Sequence, residues 1–175
     1  MKLNPSPLGL AAFALTTFLL SLHNLGFMEG GIVISLALFY GGMAQFCAGM
    51  LAFKAENNFA GTAFSSYGAF WLSFGLAEIF KLCGLLNFTA KETGFMLIAW
   101  GIFTFYMWIP SLKVGKAVSL VFLTLWLTFF ALGLASIFSF SSKIGGAVGI
   151  VCSLLAWYVS AGELINEFYG NKVIL

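Results

Sequence analysis

Gln45 is the residue whose chemistry is hardest to account for as simple packing. It stands in the stretch Phe39-Tyr40-Gly41-Gly42-Met43-Ala44-Gln45-Phe46-Cys47-Ala48-Gly49, among apolar and small neighbours. Gly41, Gln45 and Gly49 recur at i, i+4 and i+8, so on a helix they share one face. Small residues let two helices approach closely in lipid, and an amide at that depth must find a hydrogen-bond partner. The partner is either a neighbouring backbone or a solute moving along a polar path. Both readings stand at this point.

Other polar positions repeat the pattern. Phe13, Thr17, Ser21 and Asn24 lie at i, i+4, i+8 and i+11, with Thr16 beside them. Thr62, Ser66 and Ser73 form a second stripe next to Tyr67, Thr124 and Thr128 a third, and Thr104 stands alone. A hydroxyl in a membrane helix often bonds only its own i−4 carbonyl, so one stripe says little. Several stripes together fit a narrow, uncharged channel lining. The chemistry they offer is hydrogen bonding to a small solute, with no bond made or broken.

Catalysis has little to stand on. His23 is the single histidine, at the end of an apolar run, and suits a structural hydrogen bond better than a proton relay. Metal sites gather several His, Cys or carboxylate ligands, and none are grouped here. No nucleophile–base pair, phosphate loop or paired carboxylates appear, so no catalytic residue, metal or cofactor is expected. Cys47, Cys83 and Cys152 are scattered through apolar sequence and read as small buried hydrophobes. Glu78 and Glu163 lie closest to span interiors, where acids are costly and become functional candidates. Both fall near predicted ends, and Glu78 is one turn from Lys81, within pairing reach.

The elements that position these residues follow from composition. Of 175 residues, 61% are hydrophobic and 8% charged, with no Arg and no Asp. A soluble domain carries roughly 25% charged residues, so cytosolic enzymes and nucleic-acid binders are excluded. A bilayer-spanning helix takes about 20 apolar residues, which makes six spans near the maximum for this length. The apolar runs are continuous, unlike the alternation of a membrane β-barrel. The expected fold is all-α and polytopic, one domain over residues 1–175. Its six spans run from about Leu8 to Leu22, Gly31 to Phe53, Thr62 to Phe80, Thr93 to Ile109, Ala117 to Phe138 and Ile144 to Ala161.

Local punctuation sets the ends. Asn4 is placed to cap the first span, and the prolines after it suit a first helical turn. His23-Asn24-Leu25-Gly26 is expected to break span one and Pro110 to stop span four. No small-x-small cleavage site follows the first run, so it reads as an uncleaved span. Trp71, Trp100, Trp108 and Tyr169 are placed as interfacial anchors. With six spans both termini share a side holding Lys2, Lys54, Lys113, Lys116 and Lys172, against Lys81, Lys91 and Lys143. Five lysines against three favours cytoplasmic termini.

At these residues the chain resembles the acetate uptake transporter family, of the succinate–acetate permease type. The family hallmark stands as Asn4-Pro5-Ser6-Pro7-Leu8-Gly9-Leu10, followed by Phe13, Thr16-Thr17 and Leu22-His23-Asn24. Similar likeness lies in Phe39-Tyr40-Gly41-Gly42, Ala44-Gln45 and Ala48-Gly49. It continues through Thr62-Ala63-Phe64, Ser66-Tyr67-Gly68 and Phe70-Trp71 to Gly162-Glu163-Leu164-Ile165-Asn166-Glu167. Lys54 and Pro110 depart from the pattern outside the path.

The resemblance implies a six-helix protomer in the plasma or inner membrane, assembled as a homo-hexamer in the lipid bilayer. Each protomer would hold its own path for acetate and other small carboxylates. It further implies a constriction of Phe13, Tyr67 and Leu125, with Ala156 beside the path. There the methyl group would pass Phe13 and Leu125 while Tyr67 donates to the carboxyl end. The alternatives are a channel for neutral solutes such as urea or short amides, and a non-conducting assembly subunit. An aquaporin is disfavoured, because Asn4-Pro5-Ser6 is single and terminal.

Overall fold

The computed structural model describes residues 3–170 and 172, and these are all helix, turn or coil. Helix α1 is Ser6–Leu25; α2, Gly31–Leu38, runs through a π-helical turn at Phe39–Ala44 into α3, Gln45–Lys54. Four long helices follow: α4 Asn58–Leu82, α5 Ala90–Val114, α6 Lys116–Phe138 and α7 Lys143–Tyr169. Counting Gly31–Lys54 as one rod gives six rods. Five of them are long and apolar enough to cross a membrane. The sixth, α4, has 25 residues but carries Thr62, Ser65, Ser66, Tyr67, Ser73, Glu78 and Lys81 along its length.

The termini of the rods follow ordinary capping chemistry. Asn57 caps α4 by accepting from the Ala60 amide at 3.0 Å, and Thr89 with Glu92 forms a reciprocal capping box on α5. Gly26, at φ 84°, ends α1 in the left-handed conformation that glycine adopts without a Cβ penalty.

Four local expectations are corrected. Asn4 is not the cap of α1, which is Pro5; its Oδ1 accepts from the Ser6 amide and its Nδ2 donates to Glu163 Oε2 at 3.1 Å. The helix runs through His23 and Asn24 to Leu25, because neither residue loses a backbone donor and only Gly26 favours the turn. Pro110 does not stop α5, which continues to Val114; the Ser111 hydroxyl donates back to the Trp108 carbonyl beside it. Lys81 lies over the Phe88 ring, 4.5 Å from its centroid, rather than on Glu78. Of the lysines counted above, Lys2 lies outside the described residues.

Two kinds of packing hold the bundle. Where backbones approach closely, α1 against α7 and α3 against α4, glycines make the contact. A Cβ on Gly68 would lie 2.6 Å from the Phe46 backbone nitrogen, and one on Gly49 would meet the Ser65 backbone. Between α4 and α5 the contact is instead made by large rings. Tyr67 lies against Trp100 and Phe103 at centroid separations of 6.1 and 5.5 Å, and Phe70 against Trp100 at 5.2 Å. Space is therefore kept in the middle of the bundle, bordered by α1, α4 and α6.

Gly68→Ala should lower the apparent melting temperature in detergent by on the order of 2–10 °C, as overpacking costs roughly 1–3 kcal/mol. Gly101→Ala, whose Cβ would meet only the edge of the Phe130 ring at 3.2 Å, should stay within about 2 °C of the unaltered protein.

Candidate functional site

A series of neighbouring cavities runs from one end of the bundle to the other. At the end holding the start of α1 and the end of α7, a vestibule is lined by Asn4, Pro5, Glu56, Asn57, Glu163 and Glu167. Asn57 and Glu163 also line the next cavity, of about 100 Å³, which reaches inward to Gln45 and Tyr67. Beyond lies a smaller cavity of about 40 Å³, holding Thr17, Ser21, Asn24, Trp71 and Thr128. It shares Leu20, Asn24, Phe70, Leu97 and Leu132 with a vestibule at the opposite end, lined also by His23 and Glu78.

The two inner cavities have three lining residues in common: Phe13, Tyr67 and Leu125. They come from α1, α4 and α6, and each is at most 5% exposed. Phe13 and Tyr67 face each other with ring centroids 6.0 Å apart. These side chains form the partition between the two inner cavities.

Tyr67 is held from behind. Its hydroxyl donates to Thr104 Oγ1 at 3.0 Å, and the Thr104 hydroxyl donates to the Trp100 carbonyl at 2.7 Å. The phenolic proton expected to meet a carboxyl group is thus already engaged by α5, and the ring is fixed as a wall.

Polar atoms without partners flank that wall. Gln45 is 1% exposed and its Oε1 has no hydrogen-bond partner. On the other side, Thr17 Oγ1 and Trp71 Nε1 are likewise buried and unpartnered. Leaving such a group without a partner costs about 1–3 kcal/mol, and all three belong to residues that line the two inner cavities.

The other expected positions fall around these cavities. Thr16 bonds the Ala12 carbonyl at 3.0 Å and fills the space over Gly41. Thr104 sits behind Tyr67, Ala156 is fully buried, and Ser66 is half-buried; like Thr16, they line none of the cavities described. Of the hallmark residues, Pro7 accepts from the Ser160 hydroxyl, Gly9 lies under the Phe64 ring, and Leu8 faces outward.

Trp71 and Trp100 are not interfacial anchors. Trp71 is 3% exposed, and Trp100 packs into the aromatic cluster beside Tyr67 and Phe70. The signal for Trp71 was present in its spacing, four residues after Tyr67 and hence on the same helix face. Phe122, three residues before Leu125 and 6.2 Å from the Tyr67 ring, was legible in the same way.

Comparison with known proteins gives a consistent result. The model of the GPR1/FUN34/yaaH family matches residues 2–171. The succinate-acetate/proton symporter SatP of Escherichia coli is 39% identical over 98% of this chain and 93% of its own length. Acetate permease A of Emericella nidulans is 38% identical over 95% of this chain and 64% of its own. The structure of the bacterial acetate channel SatP superposes with a TM-score of 0.97 at 37% identity, covering 100% of this chain and 99% of that one.

Thr104→Val removes the acceptor of the Tyr67 hydroxyl and should destabilise the protein by about 1–3 kcal/mol. Adding Tyr67→Phe should recover most of that loss, which a double-mutant cycle on thermal unfolding measures. Additive losses would show that the pair is not coupled.

Proposed function

We propose that this chain, which belongs to the GPR1/FUN34/yaaH family, carries acetate and related small carboxylates, succinate among them, along its central path. It is a multi-pass membrane transport protein and not an enzyme. The observation that carries the reading is the partition, where Phe13, Tyr67 and Leu125 alone line both inner cavities.

Acetate has two unlike ends, and the path provides for each. Its methyl group moves against Phe13 and Leu125, which resist continuous wetting and so limit ion leakage. Its carboxyl end needs substitutes for water, because a bare charge in a lipid-like interior is expensive. Gln45 on one side and Thr17, Ser21 and Trp71 on the other supply amide, hydroxyl and indole groups at successive steps. Neither inner cavity is lined by a lysine, so no fixed cation traps the solute midway.

In this reading all six rods cross the bilayer, α4 being the polar one because it borders the path. Both termini lie on the cytoplasmic side of the cell membrane, as the lysine distribution favours. Six copies of the single unit 1–175 assemble into a hexamer, each with its own path. Large apolar side chains facing outward on α5, such as Ile102, Ile109 and Leu112, offer surface for lipid or a neighbouring copy.

Proteoliposomes containing the purified protein should take up labelled acetate and exclude urea; uptake of urea alone would favour the neutral-solute reading, and uptake of neither a structural subunit. Leu125→Ala should raise lactate uptake several-fold relative to acetate. An unchanged ratio, normalised to folded protein, removes Leu125 from the filter.

A further inference from the structure

We infer that Gln45 is the residue that reads the carboxyl group of the permeating acid at the partition, a role resting on the transport reading above. The wall residues cannot perform it. Phe13 and Leu125 have no polar atom, and the Tyr67 hydroxyl proton is engaged by Thr104 at 3.0 Å. Among the residues lining the inward cavity, the remaining polar ones besides Gln45 are Ser6, Asn57 and Glu163, which stand at or near its mouth.

Gln45 is the largest fully buried side chain among the described residues, and its Oε1 has no partner. An amide carries both donors and an acceptor. It therefore suits a carboxyl group, which accepts through its carbonyl oxygen and, when protonated, donates through its hydroxyl. Its placement is local in origin: Gln45 is the first residue after the π-helical turn Phe39–Ala44, a rare geometry frequent at functional sites. Gly41 in that turn lies against Thr16, which draws the segment close to α1.

The test uses the full chain in proteoliposomes, with acetate uptake per folded protein measured between pH 5 and 8. Gln45→Met keeps length but loses hydrogen bonding, and should lower uptake on the order of tenfold at every pH. Gln45→Glu offers a neutral carboxyl of the same reach in acid and a repelling charge in base. Its uptake relative to the unaltered protein should approach one at pH 5 and fall at least tenfold by pH 8. Tyr67 and Glu163, the other titratable groups lining this cavity, are common to all variants and cancel in the ratio. If Gln45 is only structural, ionisation of the buried carboxyl in Gln45→Glu lowers the amount of folded protein as pH rises, and the ratio per folded protein stays flat.

Should Gln45→Met fail to fold, the Gln45→Glu profile decides alone. A flat ratio for Gln45→Glu, or unaltered uptake by Gln45→Met, overturns the assignment while leaving the transport reading intact. Absence of acetate uptake by the unaltered protein overturns both.

Discussion

The hydrogen bond from Tyr67 to Thr104 is the interaction on which the rest of the site depends. Helices α4 and α5 are joined by rings rather than by close backbone contact, and the Tyr67 ring stands among Phe13, Trp100, Phe103 and Phe122, where its hydroxyl holds it in position. The relay from Tyr67 through Thr104 to the Trp100 carbonyl supplies that hold. Phe13 and Leu125 then close against a fixed surface. Without the relay the bundle would still be apolar and helical, but its middle would have no defined partition.

The second constraint is the absence of bulk water at membrane depth. Most hydroxyls in the spans meet it locally: Thr124 and Thr128 bond carbonyls four residues back at 2.8 Å. Such groups are satisfied and chemically silent. Gln45, Thr17 and Trp71 are different, because each lines one of the inner cavities and keeps an unpartnered buried atom. The glycines of α3 and α4 and the rings between α4 and α5 serve this arrangement from opposite directions, one closing the bundle and the other holding it open.

Much of this was legible in the sequence, for reasons that can be named. Continuous apolar runs specify membrane helices almost without regard to context, so five of the six rods follow from hydropathy, while α4, interrupted by Thr62, Ser65, Ser66, Ser73 and Glu78, does not. The partition residues were reached through resemblance, since an apolar ring of three residues from three helices has no local signature. What escaped was set by tertiary context. Asn4 looked like a cap because Asn often is one, yet its amide is drawn to Glu163, a partner 159 residues away. Trp71 looked like an interfacial anchor, yet it is buried, with its ring against Phe70 and Phe74. The π-helical turn depends on how Gly41 and Gly42 pack against Thr16 and Leu72, which no pattern of spacing reveals. Pro110 reads as a stop, but a helix buttressed along its length tolerates the missing donor.

The proposed transport requires that solute cross the protein between Phe13, Tyr67 and Leu125. It is tested most directly by placing a single thiol there, Leu125→Cys, in a background where Cys47, Cys83 and Cys152 are replaced by serine. A bulky methanethiosulfonate reagent is then added to proteoliposomes, with the extent of modification read by mass spectrometry alongside acetate uptake. Modification should abolish uptake in proportion to the labelled fraction, and saturating acetate should slow it. Complete labelling with uptake unchanged would mean that the solute crosses elsewhere.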